Sequence, residues 1–138
     1  MKKKILGIDY GDKRIGLAIA EEAWIRPEKT INNESVDSSI RLIADFIKGN
    51  NIDRVVFGLP VPFNNKKNER FLITKAFGDR LKHEISVPFE FISEIFTSKL
   101  ASSSSYTKKQ KTSIDERAAC FILETYLGKN TKNANFID

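Results

Sequence analysis

The stretch 5–20, Ile-Leu-Gly-Ile-Asp-Tyr-Gly-Asp-Lys-Arg-Ile-Gly-Leu-Ala-Ile-Ala, constrains this chain more than any other. A short apolar run ends in a carboxylate, Asp9. A second apolar run begins at Arg14 and continues to Ala20. Gly11 and Asp12 between them tolerate the backbone geometry of a hairpin turn, so the spacing predicts two antiparallel strands. Asp9 is the exception in this pattern. The residues before it are those of a buried central strand, and a carboxylate there costs free energy unless it is paired or bound to a metal. Alternatively, Asp9 opens the turn by bonding to its own backbone. Residue types alone leave both readings open.

The rest of the chain reads as a single α/β unit. Residues 24–31 suit a third, shorter strand, which Pro27 would shorten or confine to an edge. Residues 35–49 read as a helix. Ser35 or Asp37 can cap it, and Val36, Ile40, Ile43, Ala44 and Ile47 recur at helical spacing until Gly49. A buried strand follows at 52–59. Strand, helix and strand in this order imply a crossover and partly parallel pairing. Residues 61–68 form a polar, basic loop beyond that strand, where open α/β sheets place ligands. Residues 69–84 are a second helix, with Leu72, Ile73, Ala76, Phe77, Arg80 and Leu81 on its spacing, and 88–92 another strand. A short helix at 97–101 and a loop at 102–111 precede the best-marked helix. There Ser113 and Glu116 match a capping box, and Ala118, Ala119, Ile122, Leu123, Tyr126 and Leu127 form the stripe. Gly128 is expected to stop this helix, and 129–138 to fray.

Several chemistries are excluded by composition. The chain has 138 residues, enough for one domain, and its 41% hydrophobic and 30% charged residues are those of an ordinary globular protein. No apolar run nears the roughly 20 residues that span a bilayer, so no membrane partner is expected. One cysteine and one histidine rule out metal sites built on several of either. A single cysteine and no signal-peptide pattern fit a cytoplasmic protein. Any metal would be held by oxygen ligands, which suits Mg2+ or Mn2+. The net charge of +5 makes nucleic acid a reasonable partner, although the same charge also serves solubility.

Three carboxylates share a context. Asp9 ends the first strand, Glu94 follows the last one, and Asp115 lies in the first turn of the last helix. Each has an ordinary alternative: turn formation, a loop glutamate, and a favourable interaction with the helix macrodipole. Asp115 also precedes Ala118 and Ala119 by three and four residues, which extends the sheet-facing stripe. If the first strand is central, the three converge and would raise each other's pKa unless cations intervene. Two Mg2+ ions about 4 Å apart could then activate water and stabilise a leaving oxygen, which is phosphodiester hydrolysis. Lys13, Arg14, Lys66, Lys67, Lys108, Lys109 and Lys111 would border such a site and hold a nucleic-acid backbone.

Taken together, 7–18, 55–60, Glu94 with Thr97-Ser98, and Ile114-Asp115 with Ala118-Ala119, Ile122-Leu123 and Tyr126-Leu127 resemble the YqgF/RuvX family in nearly the whole chain and in order. The resemblance implies an RNase H-like fold, a mixed central sheet of about five strands flanked by helices. It also implies a metal-dependent nuclease that matures the 5′ end of pre-16S rRNA, with ribosomal particles as a further partner, or a Holliday junction resolvase. Asp9, Glu94 and Asp115 match the family's acidic positions, and Lys13 and Arg14 its basic pair. The chain departs from the family at Ser93-Glu94-Ile95-Phe96-Thr97, where the family reads Asp-Glu-Arg-Leu-Thr. Residues 61–68 also lack the family's loop glycines.

Four functions remain in contention: a nuclease on structured RNA, the same chemistry on branched DNA, a nucleic-acid-binding or ribosome-assembly protein with a decayed site, and a nucleotide binder. Branched DNA has two-fold symmetry and would favour a homodimer over a monomer. The nucleotide binder ranks last because the chain is too short for the two domains that would clamp a nucleotide. Both RNA and DNA present phosphodiesters to the same metal chemistry, and no base-reading motif separates them.

Overall fold

The computed structural model describes residues 3–60, 68–93 and 114–137, with side chains in the last stretch described for 116–128. The expected short helix at 97–101 and the loop at 102–111 lie outside these residues, as does Ser113 of the capping box.

The first apolar run is β1 (Lys4–Asp9) and the second is β2 (Arg14–Glu21). They pair antiparallel with Gly7 opposite Ala18 and Asp9 opposite Gly16. The third strand, β3 (Trp24–Asn32), is nine residues long, so Pro27 does not shorten it. Instead β3 takes the sheet edge, where the missing N–H costs no ladder bond. A register shift beside Leu17 and Ala18 absorbs the irregularity: Lys29 faces Leu17 and Pro27 faces Ala18, which leaves Glu28 as the extra residue.

Helix α1 (Val36–Gly49) crosses to β4 (Arg54–Leu59), which pairs parallel with β1. Helix α2 (Glu69–Glu84) then crosses to β5 (Phe89–Ser93), which pairs parallel with β4. The sheet order is β3-β2-β1-β4-β5, so β1 is central. The last helix, α3, spans Ile114–Ile137. It passes through Gly128, where the sequence placed a stop. A glycine stop needs a left-handed residue, and no glycine among the described residues has positive φ.

Strand alternation divides the core between the two faces. Leu6, Ile8, Tyr10, Ile15, Leu17, Ile19, Val55 and Phe57 pack with α1 and α2. Tyr10, Phe57, Phe77, Phe89 and Phe91 form an aromatic cluster there, with the Tyr10 and Phe77 rings 4.5 Å apart. The opposite face carries Ala18, Ala20 and Val56 against Ala119, Ile122, Leu123 and Tyr126 of α3. This face is a floor of small residues. A Cβ on Gly7 would lie 2.6 Å from Leu123 Cγ and 2.9 Å from the Ala119 carbonyl oxygen, so glycine there permits the approach of α3.

Both crossover helices present faces that differ from the apolar spacing. In α1, Val36 is exposed while Ser39 is fully buried beside Ile40, Ile43 and Ile47. In α2, Leu72 and Ile73 are 55% and 44% exposed, and the buried residues are Thr74, Phe77, Gly78 and Leu81. Gly78 sets this face: a Cβ there would meet the Phe91 ring at 2.5 Å, so α2 seats its glycine on β5. Arg80, counted with the stripe from sequence, instead pairs with Asp37 of α1 at the surface.

Candidate active site

Asp9 is the last residue of the central strand and is partly buried. Its neighbours set its direction. Ile8 and Tyr10 both belong to the α1/α2 core, so alternation turns Asp9 to the α3 face, beyond Gly7. Directly across β2 lies Gly16, and across β3 from Gly16 lies Thr30. These three residues form one row over three strands, with Thr30 about 10 Å from Asp9 at the usual strand spacing. Gly16 has no side chain and is buried between the acid and the hydroxyl.

Helix α3 enters over this row. The Thr30 hydroxyl donates a hydrogen bond to Glu116 Oε2 at 2.7 Å. Three and seven residues later, Ala119 and Leu123 rest on Gly7. The first turn of α3, which contains Asp115, therefore sits at the end of the sheet where β1 finishes. The sequence assigned Glu116 to a capping box. Its carboxylate accepts from Thr30 of β3, a contact 86 residues apart that no local pattern encodes.

The turn after Asp9 is held from outside the hairpin. Asn33 Nδ2 donates to the Gly11 carbonyl at 3.0 Å, and the Asn33 backbone N–H donates to the Lys13 carbonyl at 2.8 Å. The Ser39 hydroxyl donates to Asn33 Oδ1 at 2.7 Å. Gly11 is required here because a Cβ would lie 2.5 Å from the Arg14 carbonyl oxygen. The sequence reading treated Asn33 only as a break between elements. An Asx residue between a strand and a helix was the available signal.

Of the sequence candidates, Lys13 and Arg14 are exposed at this turn, and Arg14 shares the alternation of Gly16 toward α3. Glu94 follows the last residue of β5, and it lies outside the described residues, as do Lys66, Lys67, Lys108, Lys109, Lys111 and the side chain of Asp115. Among the described residues, no three acidic, histidine or cysteine side chains cluster as a metal site. The single histidine and the single cysteine supply no soft ligand here. His83 lines a cleft of about 470 Å³ with Ile47, Ile52 and Val87, at the opposite end of the sheet. Burial pushes the Cys120 thiol from 9.0 up to about 12, and the Glu124 and Glu116 carboxylates add to the rise. It therefore stays protonated and is no thiolate ligand. Only hard oxygen donors remain for this end of the sheet, which fits Mg2+ or Mn2+. No helix among the described residues is long and apolar enough to cross a membrane.

Comparison with known proteins agrees with this architecture. A protein of Sulfurihydrogenibium sp. (strain YO3AOP1) named "Putative pre-16S rRNA nuclease" is 37% identical over 134 residues, covering 91% of this chain and 90% of that protein. A protein of Ligilactobacillus salivarius with the same name is 30% identical over 145 residues, covering 96% and 99%. Among solved structures, Thermus thermophilus RuvC in complex with a Holliday junction substrate superposes with a TM-score of 0.61 at 15% identity, over 94% of this chain and 97% of that one. The Fowlpox virus resolvase with Holliday junction DNA gives 0.52 at 16% identity, over 91% and 97%. At such identities the likeness speaks for the fold, the RNase H-like sheet with its central β1. The family model described as RuvX, Holliday junction resolvase, matches residues 3–129, and the chain belongs to that family.

Proposed function

We propose that this protein is a divalent-metal-dependent endonuclease that hydrolyses phosphodiester bonds in nucleic acid, with precursor 16S rRNA as its substrate. The observation that carries this reading is the place of Asp9. It is a carboxylate at the C-terminal end of the central strand, turned to the α3 face beside the side-chain-free Gly16. Asp9, Glu94 and Asp115 would hold Mg2+ or Mn2+, which when bound supplies water activation and stabilises the leaving oxygen. Glu94 is counted with them because it directly follows β5 in the chain. Lys13 and Arg14, carried on the turn next to Asp9, would grip phosphates, and Lys66, Lys67, Lys108, Lys109 and Lys111 would extend that grip. The named relatives favour the ribosomal precursor over branched DNA. The protein would then act in the cytoplasm, where precursor ribosomal particles assemble.

The test is cleavage of a labelled precursor rRNA fragment beside a four-way DNA junction, with Mg2+ or Mn2+, by wild type and Asp9→Asn. RNA cleavage that the variant lacks supports the proposal. Junction cleavage alone replaces it with a resolvase. Binding of RNA without cleavage of either leaves a binding protein, with Ser93 and Ile95 as the departures responsible.

A further inference from the structure

We infer that Thr30 and Glu116 are a positioning pair for the metal-binding end of the sheet. This rests on the proposed metal site above. Three observations converge on it. Thr30 lies on the row that runs through Gly16 to Asp9, so its height along the sheet is that of the central carboxylate. Its hydroxyl donates to Glu116 Oε2 at 2.7 Å in a partly buried setting. Glu116 is adjacent to Asp115 in the first turn of α3, so this bond ties that turn to the sheet.

The apolar part of the α3 interface does not by itself supply this alignment. Ala119, Cys120, Ile122, Leu123 and Tyr126 pack on Gly7, Ala18, Ala20 and Val56, apolar surfaces that hold α3 close. Apolar contact is non-directional, so packing on Gly7, Ala18, Ala20 and Val56, with Ile5, Ile25 and Ile92 around them, sets how close α3 lies more than how it is turned. A hydrogen bond of fixed length and direction at the first turn removes that freedom. It acts on the metal ligand through the backbone of the next residue. Glu116 is therefore a positioning residue and not itself a ligand.

The experiment measures Mn2+ affinity by titration calorimetry, with no substrate present, together with the melting temperature. Thr30→Val keeps the shape and strand propensity of the side chain but removes the donor. It is expected to weaken Mn2+ binding about tenfold, the scale seen when a group supporting a metal ligand is lost, while the protein stays folded. Thr30→Ser restores the donor and binds as wild type. Glu116→Gln keeps an acceptor oxygen and also binds within about twofold of wild type, well below the loss that removing a supporting group causes. If Glu116→Gln weakens binding as much as Asp9→Asn, Glu116 is a ligand and the positioning role is wrong. If Thr30→Val binds Mn2+ as wild type while Asp9→Asn does not, the pair has no such role although the metal site stands. If Asp9→Asn binds as wild type, the metal site itself fails, and the inference with it.

Discussion

Asn33 Nδ2 donates to the Gly11 carbonyl oxygen at 3.0 Å, across 22 residues of chain. The same side chain accepts from the buried Ser39 hydroxyl, so one amide ties the turn after Asp9 to the start of α1. Removing it leaves two polar groups short of a partner. Asn33→Ala is expected to cost about 2 kcal/mol, the range for an orphaned buried group. Asn33→Asp keeps the acceptor for Ser39 and should cost less at pH 7. Urea unfolding with an unchanged slope checks both, and equal losses for the two variants would show that the Gly11 bond dominates.

Gly7 sets the distance between α3 and the sheet. Gly7→Ala places a Cβ against Leu123 Cγ and the Ala119 carbonyl. Overpacking of this kind costs about 3 kcal/mol. Leu123→Ala relieves only the first contact, because the second is backbone. The double variant is therefore expected to fall short of the sum of the singles by about 1 kcal/mol, a coupling that denaturant midpoints of the four proteins report directly.

The Cys120 thiol gives an alkaline signature. It is 1% exposed, and burial with the nearby Glu124 and Glu116 carboxylates raises it from 9.0 to about 12. Between those values the folded state holds a proton that the unfolded state releases. Its contribution to stability is intact below pH 9 and declines as pH rises toward 12, by up to about 1.4 kcal/mol per pH unit. Cys120→Ala lacks this loss, so its stability should fall less steeply than wild type between pH 9 and 11. Identical slopes from urea titrations at each pH would contradict the burial argument. The native thiol should also react with maleimide only as fast as the chain opens.

Chelation and charge removal should act on the same step. EDTA is expected to abolish cleavage, and excess Mg2+ to restore it. Even groups that merely support a ligand change metal affinity about 10–100-fold, so Asp9→Asn should lose about 100-fold or more in cleavage rate. Its fold should survive, which circular dichroism and the melting temperature establish. Full cleavage by the variant would remove Asp9 from the chemistry.

Local signals determined much of the architecture from the sequence by itself. The β1–β2 hairpin, the start of α1 at a cap offered by Ser35 or Asp37 and taken by Ser35, the extent of α2 and the place of β5 all rest on periodicity and end residues, which act over a few positions. Asp9 stood out for the same reason, a carboxylate closing a run of buried residues. Tertiary structure alone decided which way these elements face. The buried faces of α1 and α2 include Ser39 and Gly78, because a hydroxyl with a partner or a glycine under a ring costs little when buried. Leu72 and Ile73, stronger by hydrophobicity, remain in solvent. The row Asp9, Gly16 and Thr30, and the bond from Thr30 to Glu116, exist only once three strands and the last helix are in register. Those contacts join residues up to 86 positions apart, and their partners are chosen by sheet order and packing rather than by neighbours in the chain.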